Sequence, residues 1–161
     1  MILRVLHLRM RLTIVCIALL ALAVSCNTLD IYEKTVFFPQ HSWKNSEHPS
    51  FTFDIKDTSS LYNVYVVIRH EDAYRYRNIW LSVQVKTGDS AYTIRREFQL
   101  AANDRWLGSS MDDIIEHRMI FNRTPISLRK GRYVFTLEEI MREEPLQHVL
   151  NAGIRLEKAH P

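Results

Sequence analysis

The chain has 161 residues, enough for one folded domain and hardly two. It carries 21 Lys and Arg against 18 Asp and Glu, but Arg4, Arg9 and Arg11 account for the whole formal charge of +3. The remainder is neutral, so a pI near 8.9 makes no case for nucleic acid or an acidic substrate.

The first 25 residues form a unit apart. No acidic residue precedes Asp30, and residues 12–24 are almost wholly apolar after the three arginines. At 13 residues the run falls short of the roughly 20 that a membrane span needs, and it matches a signal peptide instead. It ends in Ala21-Leu22-Ala23-Val24-Ser25-Cys26, small residues before a cysteine, which resembles a lipobox. We expect removal of residues 1–25 and lipid on Cys26; the alternative is ordinary secretion with cleavage near Ala23 or Ser25. Cys16 would leave with the signal, so Cys26 becomes the only thiol and no internal disulfide can form. Two or more acyl chains anchor stably where one does not. Residues 26–34 show no period and read as a lipidated tether, followed by a single domain over 35–161. Asp30 and Glu33 stand apart instead of forming an acidic cluster, which points to the periplasmic face of the outer membrane.

Beyond the tether, alternation of apolar and polar residues marks strands at 51–55, 81–86 and 133–138. The run 61–69 is β-branched and aromatic on both faces, as in a central strand covered on two sides. Gly88-Asp89 between 80–86 and 91–100 gives the clearest hairpin. Further strands fit 36–39, 116–121 and 154–158. Helical signals are confined to one turn at 111–116 and a short segment within 137–150 that Pro145 interrupts. The expected fold is all-β: an antiparallel two-sheet β-sandwich of seven to nine strands with one short helix at most.

Four groups of residues invite a chemical reading. Asp104, Asp112, Asp113, Glu116 and His117 offer oxygen and nitrogen ligands, but their spacing matches neither a zincin nor an EF-hand, and a polar loop explains them; no metal and no cofactor are expected. No Gly-x-Ser-x-Gly elbow or phosphate-cradling glycine loop occurs, so no catalytic residues are assigned and nucleotide chemistry is excluded. Tyr74, Arg75, Tyr76 and Arg77 interleave the residue types that dominate binding hot spots, against the alternative of a solvated loop. Trp43 and Trp106 are the better candidates for a sugar platform, because Trp80 opens an alternating strand and core burial suits it.

The order of several short motifs carries a resemblance. The lipobox, Tyr74-Arg75-Tyr76-Arg77-Asn78-Ile79-Trp80-Leu81, Trp106-Leu107-Gly108 with Asp112-Asp113-Ile114, Gly131-Arg132-Tyr133-Val134-Phe135 and the ending Gly153-Ile154-Arg155-Leu156-Glu157-Lys158 together resemble the gliding-motility lipoproteins of the GldH family of Bacteroidetes. Pro145-Leu146-Gln147 departs from that pattern. The resemblance implies a non-enzymatic envelope lipoprotein, an accessory of a gliding-motility apparatus linked to type IX secretion. Its partners would be the membrane, through the lipid, and other envelope proteins, with no nucleic acid. Tyr74, Arg75, Tyr76, Arg77 and Trp106 are the expected partner-binding residues. A glycan- or peptidoglycan-binding module is the first alternative and a metal-dependent hydrolase the second. Asp89-Ser90-Ala91 resembles a Bacteroidetes O-glycosylation acceptor and marks Ser90.

Overall fold

The computed structural model describes residues 31–159, which are all β. The signal segment and Cys26 lie outside the described residues. In chain order the strands are β1 (Ile31–Phe37), β2 (Ser42–Trp43), β3 (Ser50–Ile55), β4 (Leu61–Glu71), β5 (Asn78–Thr87), β6 (Ser90–Gln99) and β7 (Ala101–Ala102). There follow β8 (Arg105–Trp106), β9 (Ser109–Met111), β10 (Ile114–Ile120), β11 (Ile126–Ser127), β12 (Gly131–Glu139), β13 (Leu146–Gln147) and β14 (Val149–Lys158). Fourteen strands exceed the seven to nine expected, and the excess lies in six segments of two or three residues. Such segments are too short to show a period of two. The weak helical signals are overturned: 111–116 is the β9–β10 turn with the start of β10, and 137–150 holds the end of β12, a connection and β13.

Two antiparallel sheets face each other. One has the order β1-β14-β4-β10-β9, with β11 beside β4, and the other has the order β3-β12-β5-β6. Alternation builds the core: Ile79, Leu81, Val83 and Val85 of β5 point inward with Phe51 and Phe53 of β3 and Tyr133, Phe135 and Leu137 of β12. They meet Val64, Val66 and Ile68 of β4 and Ala152, Ile154 and Leu156 of β14. β4 sits centrally, as its doubly apolar sequence requires, and its outward Val67 is also fully buried. Its cover is ionic. Arg118 on β10 stands opposite Val67 in register and reaches Glu33 on β1 at 3.5 Å, crossing β4 and β14. Arg155 joins Glu33 and Glu157 at 3.2 and 3.0 Å, and Arg69 pairs with Glu116. β1 begins at Ile31, so residues 31–34, read from sequence as tether, belong to the sheet.

The pairing registers give the sandwich two ends. Ile31, Ile55, Leu61, Thr87, Ser90, Gly131 and Lys158 lie at the near end, where the described chain enters. Phe37, Ser50, Glu71, Asn78, Gln99, Ile114 and Glu139 lie at the far end.

Candidate interaction site

The far end of β4 places two consecutive residues on opposite faces, since successive side chains alternate. His70 points inward and is fully buried. Its Nδ1 lies 2.7 Å from the carbonyl of Glu71, which can only accept, so Nδ1 carries the proton and donates. With His70 neutral, its Nε2 accepts from Nε2 of His117, 3.0 Å away on the neighbouring strand. The two rings stack at 5.0 Å. Burial drives the His117 pKa down to about 4, aided by the charge of His70, and burial lowers His70 as well, so the pair is neutral at neutral pH. Glu71 points outward and receives Nδ1 of both His41 and His148 at 2.6 Å. These hydrogen bonds, that from His148 foremost, hold its carboxylate below the ordinary range.

Aromatic rings cover the buried pair. Trp106 meets His70 edge-on at 4.5 Å and donates its indole N–H to Asp72 at 2.6 Å. Tyr74 packs against His70 at 5.0 Å and donates its hydroxyl to the carbonyl of Asn78, and Tyr76 meets it edge-on at 5.7 Å. Desolvation drives the Tyr74 hydroxyl pKa far up, so it stays protonated. Trp106 is carried on the β7–β8 hairpin, whose turn residues Asn103 and Asp104 have φ of 47° and 58°, a left-handed conformation that Asn and Asp tolerate better than most side chains. Backbone bonds from Leu100 and Ala101 to the carbonyl of Arg77 tie this hairpin to the β4–β5 connection. Between the two runs a cleft of about 250 Å³, lined by Arg75, Tyr76, Arg77, Asp104, Arg105 and Trp106. Arg77 pairs with Asp104, and Arg75 lies 3.7 Å from Glu143.

All five residues singled out in the sequence therefore converge, though in different roles. Arg75 and Arg77 are exposed, Tyr76 and Trp106 half-buried, and Tyr74 is buried beneath them. The sequence reading overlooked His70, His41 and His148, which are far apart in the chain and carry no spacing signal. The carboxylate group is not assembled: alternation sends Glu116 outward to Arg69 and Arg118 and His117 inward to His70. Asp104 pairs with Arg77, and Asp112 and Asp113 occupy the β9–β10 turn. Among the described residues no three His, Cys, Asp or Glu are grouped to hold a metal.

The tryptophan assignments are reversed. Trp43, expected at the surface because its neighbours are polar, is fully buried, stacked on Phe38 at 5.1 Å with its N–H on the carbonyl of Glu47. Trp80, expected in the core, is 40% exposed because it faces outward between Ile79 and Leu81. Trp43 and Trp106 thus share no sugar-stacking platform. Ser90 is exposed at the start of β6.

The model of the GldH lipoprotein family matches residues 30–156. The chain is 23% identical over 144 residues to the "Gliding motility lipoprotein GldH homolog" of Christiangramia forsetii, covering 84% of this chain and 88% of that protein. It is 25% identical over 126 residues to the "Gliding motility lipoprotein GldH" of Flavobacterium johnsoniae, covering 73% and 78%. Among solved structures it is similar to dimeric latent PorU from Porphyromonas gingivalis, with a TM-score of 0.39, 11% identity, and coverage of 81% of this chain and 13% of that one.

Proposed function

Because the chain belongs to the GldH lipoprotein family, we propose that it is a non-catalytic accessory of a gliding-motility apparatus linked to type IX secretion, lipidated at Cys26 and acting through protein contacts. The observation that carries the contact surface is the convergence of Tyr76, Trp106, Arg75, Arg77 and Arg105 on one cleft, with Tyr74 and the histidine pair buried and packed beneath it. Residues that join large area to hydrogen bonding, on a preorganised base, are those that concentrate binding energy. Topology supports the same assignment. The chain enters at Ile31 on the near end, and β1 rises about 3.3 Å per residue over its seven residues, so the cleft sits roughly 20 Å further out than the point of attachment. A domain held by lipid at Cys26 on the periplasmic face of the outer membrane would present that end to partners.

Two experiments test this reading. Cys26→Ser should abolish partition into the detergent phase and the acyl mass together; retained partition without acyl mass would remove the anchor from the proposal. Replacing Arg75, Tyr76 and Arg77 together by Ala, while keeping the buried Tyr74, should lower melting only modestly, since the exposed Arg75 and Arg77 stay within about 0.5 kcal/mol each and the half-buried Tyr76 gives up its edge contact with Tyr74. Capture of envelope partners from intact cells should weaken by about 2 kcal/mol or more if these are hot spots. Unaltered capture and unaltered function would place the contact surface elsewhere. Ser90 is the proposed O-glycan acceptor, and its test is intact mass from the native host, where lipid alone would refute it.

A further inference from the structure

The near end holds a second, apolar cavity that the proposed contact site does not use. It measures about 500 Å³ and opens between β6 and residues 121–128. Its origin lies in the topology. β9, the outermost strand of the first sheet, pairs only with Ile114, Ile115 and Glu116 at the far end, so at the near end that sheet stops at β10 and the two-residue β11. β6 runs its full ten residues opposite this gap. By its register with Val83 and Val85 of β5, β6 turns Tyr92 and Ile94 toward the interior, yet they are 50% and 41% exposed, whereas Phe98 further along the same face is 4% exposed. The floor is core: Val64, Val85 and Phe135.

The rim is cationic. Arg95, Arg96 and Arg123 line the cavity and no carboxylate does. Arg96 is fixed by its bond to the carbonyl of Phe121 at 2.6 Å, while Arg95 and Arg123 form no ion pair among the described residues. The surrounding near-end connections add Lys56, Arg129 and Lys130 against Asp57 and Asp89, and Asp57 is already held by Lys158 at 3.0 Å. The far-end connections lean the other way, with Glu47, Asp72, Asp104, Asp112, Asp113, Glu143 and Glu144 against Lys44, Arg75, Arg77 and Arg142. A chain that is neutral after residue 25 is thus divided into a basic end and an acidic end.

We infer that the near end is a seat for an anionic membrane lipid, whose acyl chain enters the cavity between Tyr92, Ile94 and Phe121 while its headgroup meets Arg96, which alternation puts on the same face as Tyr92 and Ile94, and Arg123. Burial of acyl chain is favourable in proportion to the CH₂ groups removed from water, and cationic side chains close to an anionic leaflet add electrostatic attraction. The seat lies at the end where β1 begins, so it deepens the anchoring proposed above: the lipid on Cys26 would hold the protein at the membrane, and the seat would fix which end faces it.

The test uses the protein purified from envelopes, mixed with phosphatidylglycerol or phosphatidylcholine vesicles and followed by amide hydrogen exchange. Intact mass reads the acyl group separately, so loss of the anchor and loss of the seat are distinct results. Phosphatidylglycerol should slow exchange in 90–96 and 121–128, and phosphatidylcholine should not. Arg96→Gln with Arg123→Gln should reduce that lipid preference on the order of tenfold. Ile94→Thr, which keeps a β-branched side chain at this partly exposed strand position, should also weaken it while the protein stays folded. Lys44→Gln with Arg142→Gln, equal charge removed from the far end, should leave it intact. Equal exchange on both lipids, or full protection in the double arginine variant, overturns the inference and leaves the free edge of β6 to a peptide strand.

Discussion

Trp43 shows how a residue's neighbourhood in space overrides its neighbourhood in sequence. Ser42, Lys44 and Asn45 suggest a surface, yet its ring stacks on Phe38 and its N–H is satisfied by Glu47, so Trp43→Ala should cost about 3–5 kcal/mol in denaturant unfolding. The buried titratable groups set opposing pH dependences. Folded His117 titrates near 4 against an ordinary 6.5, so between these values the unfolded chain binds protons that the native chain does not, and stability falls as pH falls through that window. His70, lowered by the same burial, adds to the effect, and Glu71, depressed by His148 and His41, adds a further loss below its ordinary value of 4.5. Glu139 acts in reverse. Desolvation raises its pKa to about 7 from 4.5, and its Oε1 has no hydrogen-bond partner in the structure, so its contribution erodes as pH rises from 4.5 to 7. Glu139→Gln should therefore raise the unfolding midpoint at about pH 8 relative to the parent more than at about pH 4. A shift of equal size at both would remove the titration argument.

Among the elements, β1 and the β7–β8 hairpin depend on close approaches that only glycine permits. A Cβ on Gly153 would lie 2.5 Å from the carbonyl oxygen of Lys34 and 2.6 Å from Cγ2 of Thr35 on the paired strand. Gly153→Ala should push β1 off β14 at a cost of about 1–3 kcal/mol, seen as faster amide exchange across 31–37 with the second sheet unaffected. Gly108 stands against β10 in the same way, with an added Cβ 2.4 Å from the carbonyl oxygen of Glu116. Gly108→Ala should displace the neighbouring Trp106 from the histidine pair and change its fluorescence without unfolding the sandwich. An unchanged spectrum would mean that the hairpin is positioned by Arg77 and Asp72 alone.

For the whole molecule, the proposed contact cleft and the proposed lipid seat lie at opposite ends. Antiparallel pairing puts the entry at Ile31 and the Trp106 cleft at opposite ends of the same strands, and the charged connections divide accordingly. On vesicles, with Cys26 occupied by lipid, a thiol introduced by Arg105→Cys should react with an impermeant maleimide at its free-solution rate. One introduced by Lys130→Cys should react several-fold more slowly. Equal rates would mean that the domain tumbles freely on its tether.

What could be read from the sequence was whatever depends on local periodicity. The alternation of Leu81, Val83 and Val85 gave the β5 face, though Trp80 was assigned to the core against it, the double apolarity of residues 61–69 gave the central place of β4, and Gly88-Asp89 gave the turn. The run 74–77 stood out as a candidate because arginine and tyrosine are unusual in a connection. Pairing across distance was not. His70 and His117 are 47 residues apart, and the bonds of His41 and His148 to Glu71 span 30 and 77, so no spacing links them. The burial of Trp43 against Phe38 and β13, and the gap over Tyr92 and Ile94, were decided by which distant segments pack together and where the opposing sheet stops. That limit is a property of strand order, which side-chain period does not encode.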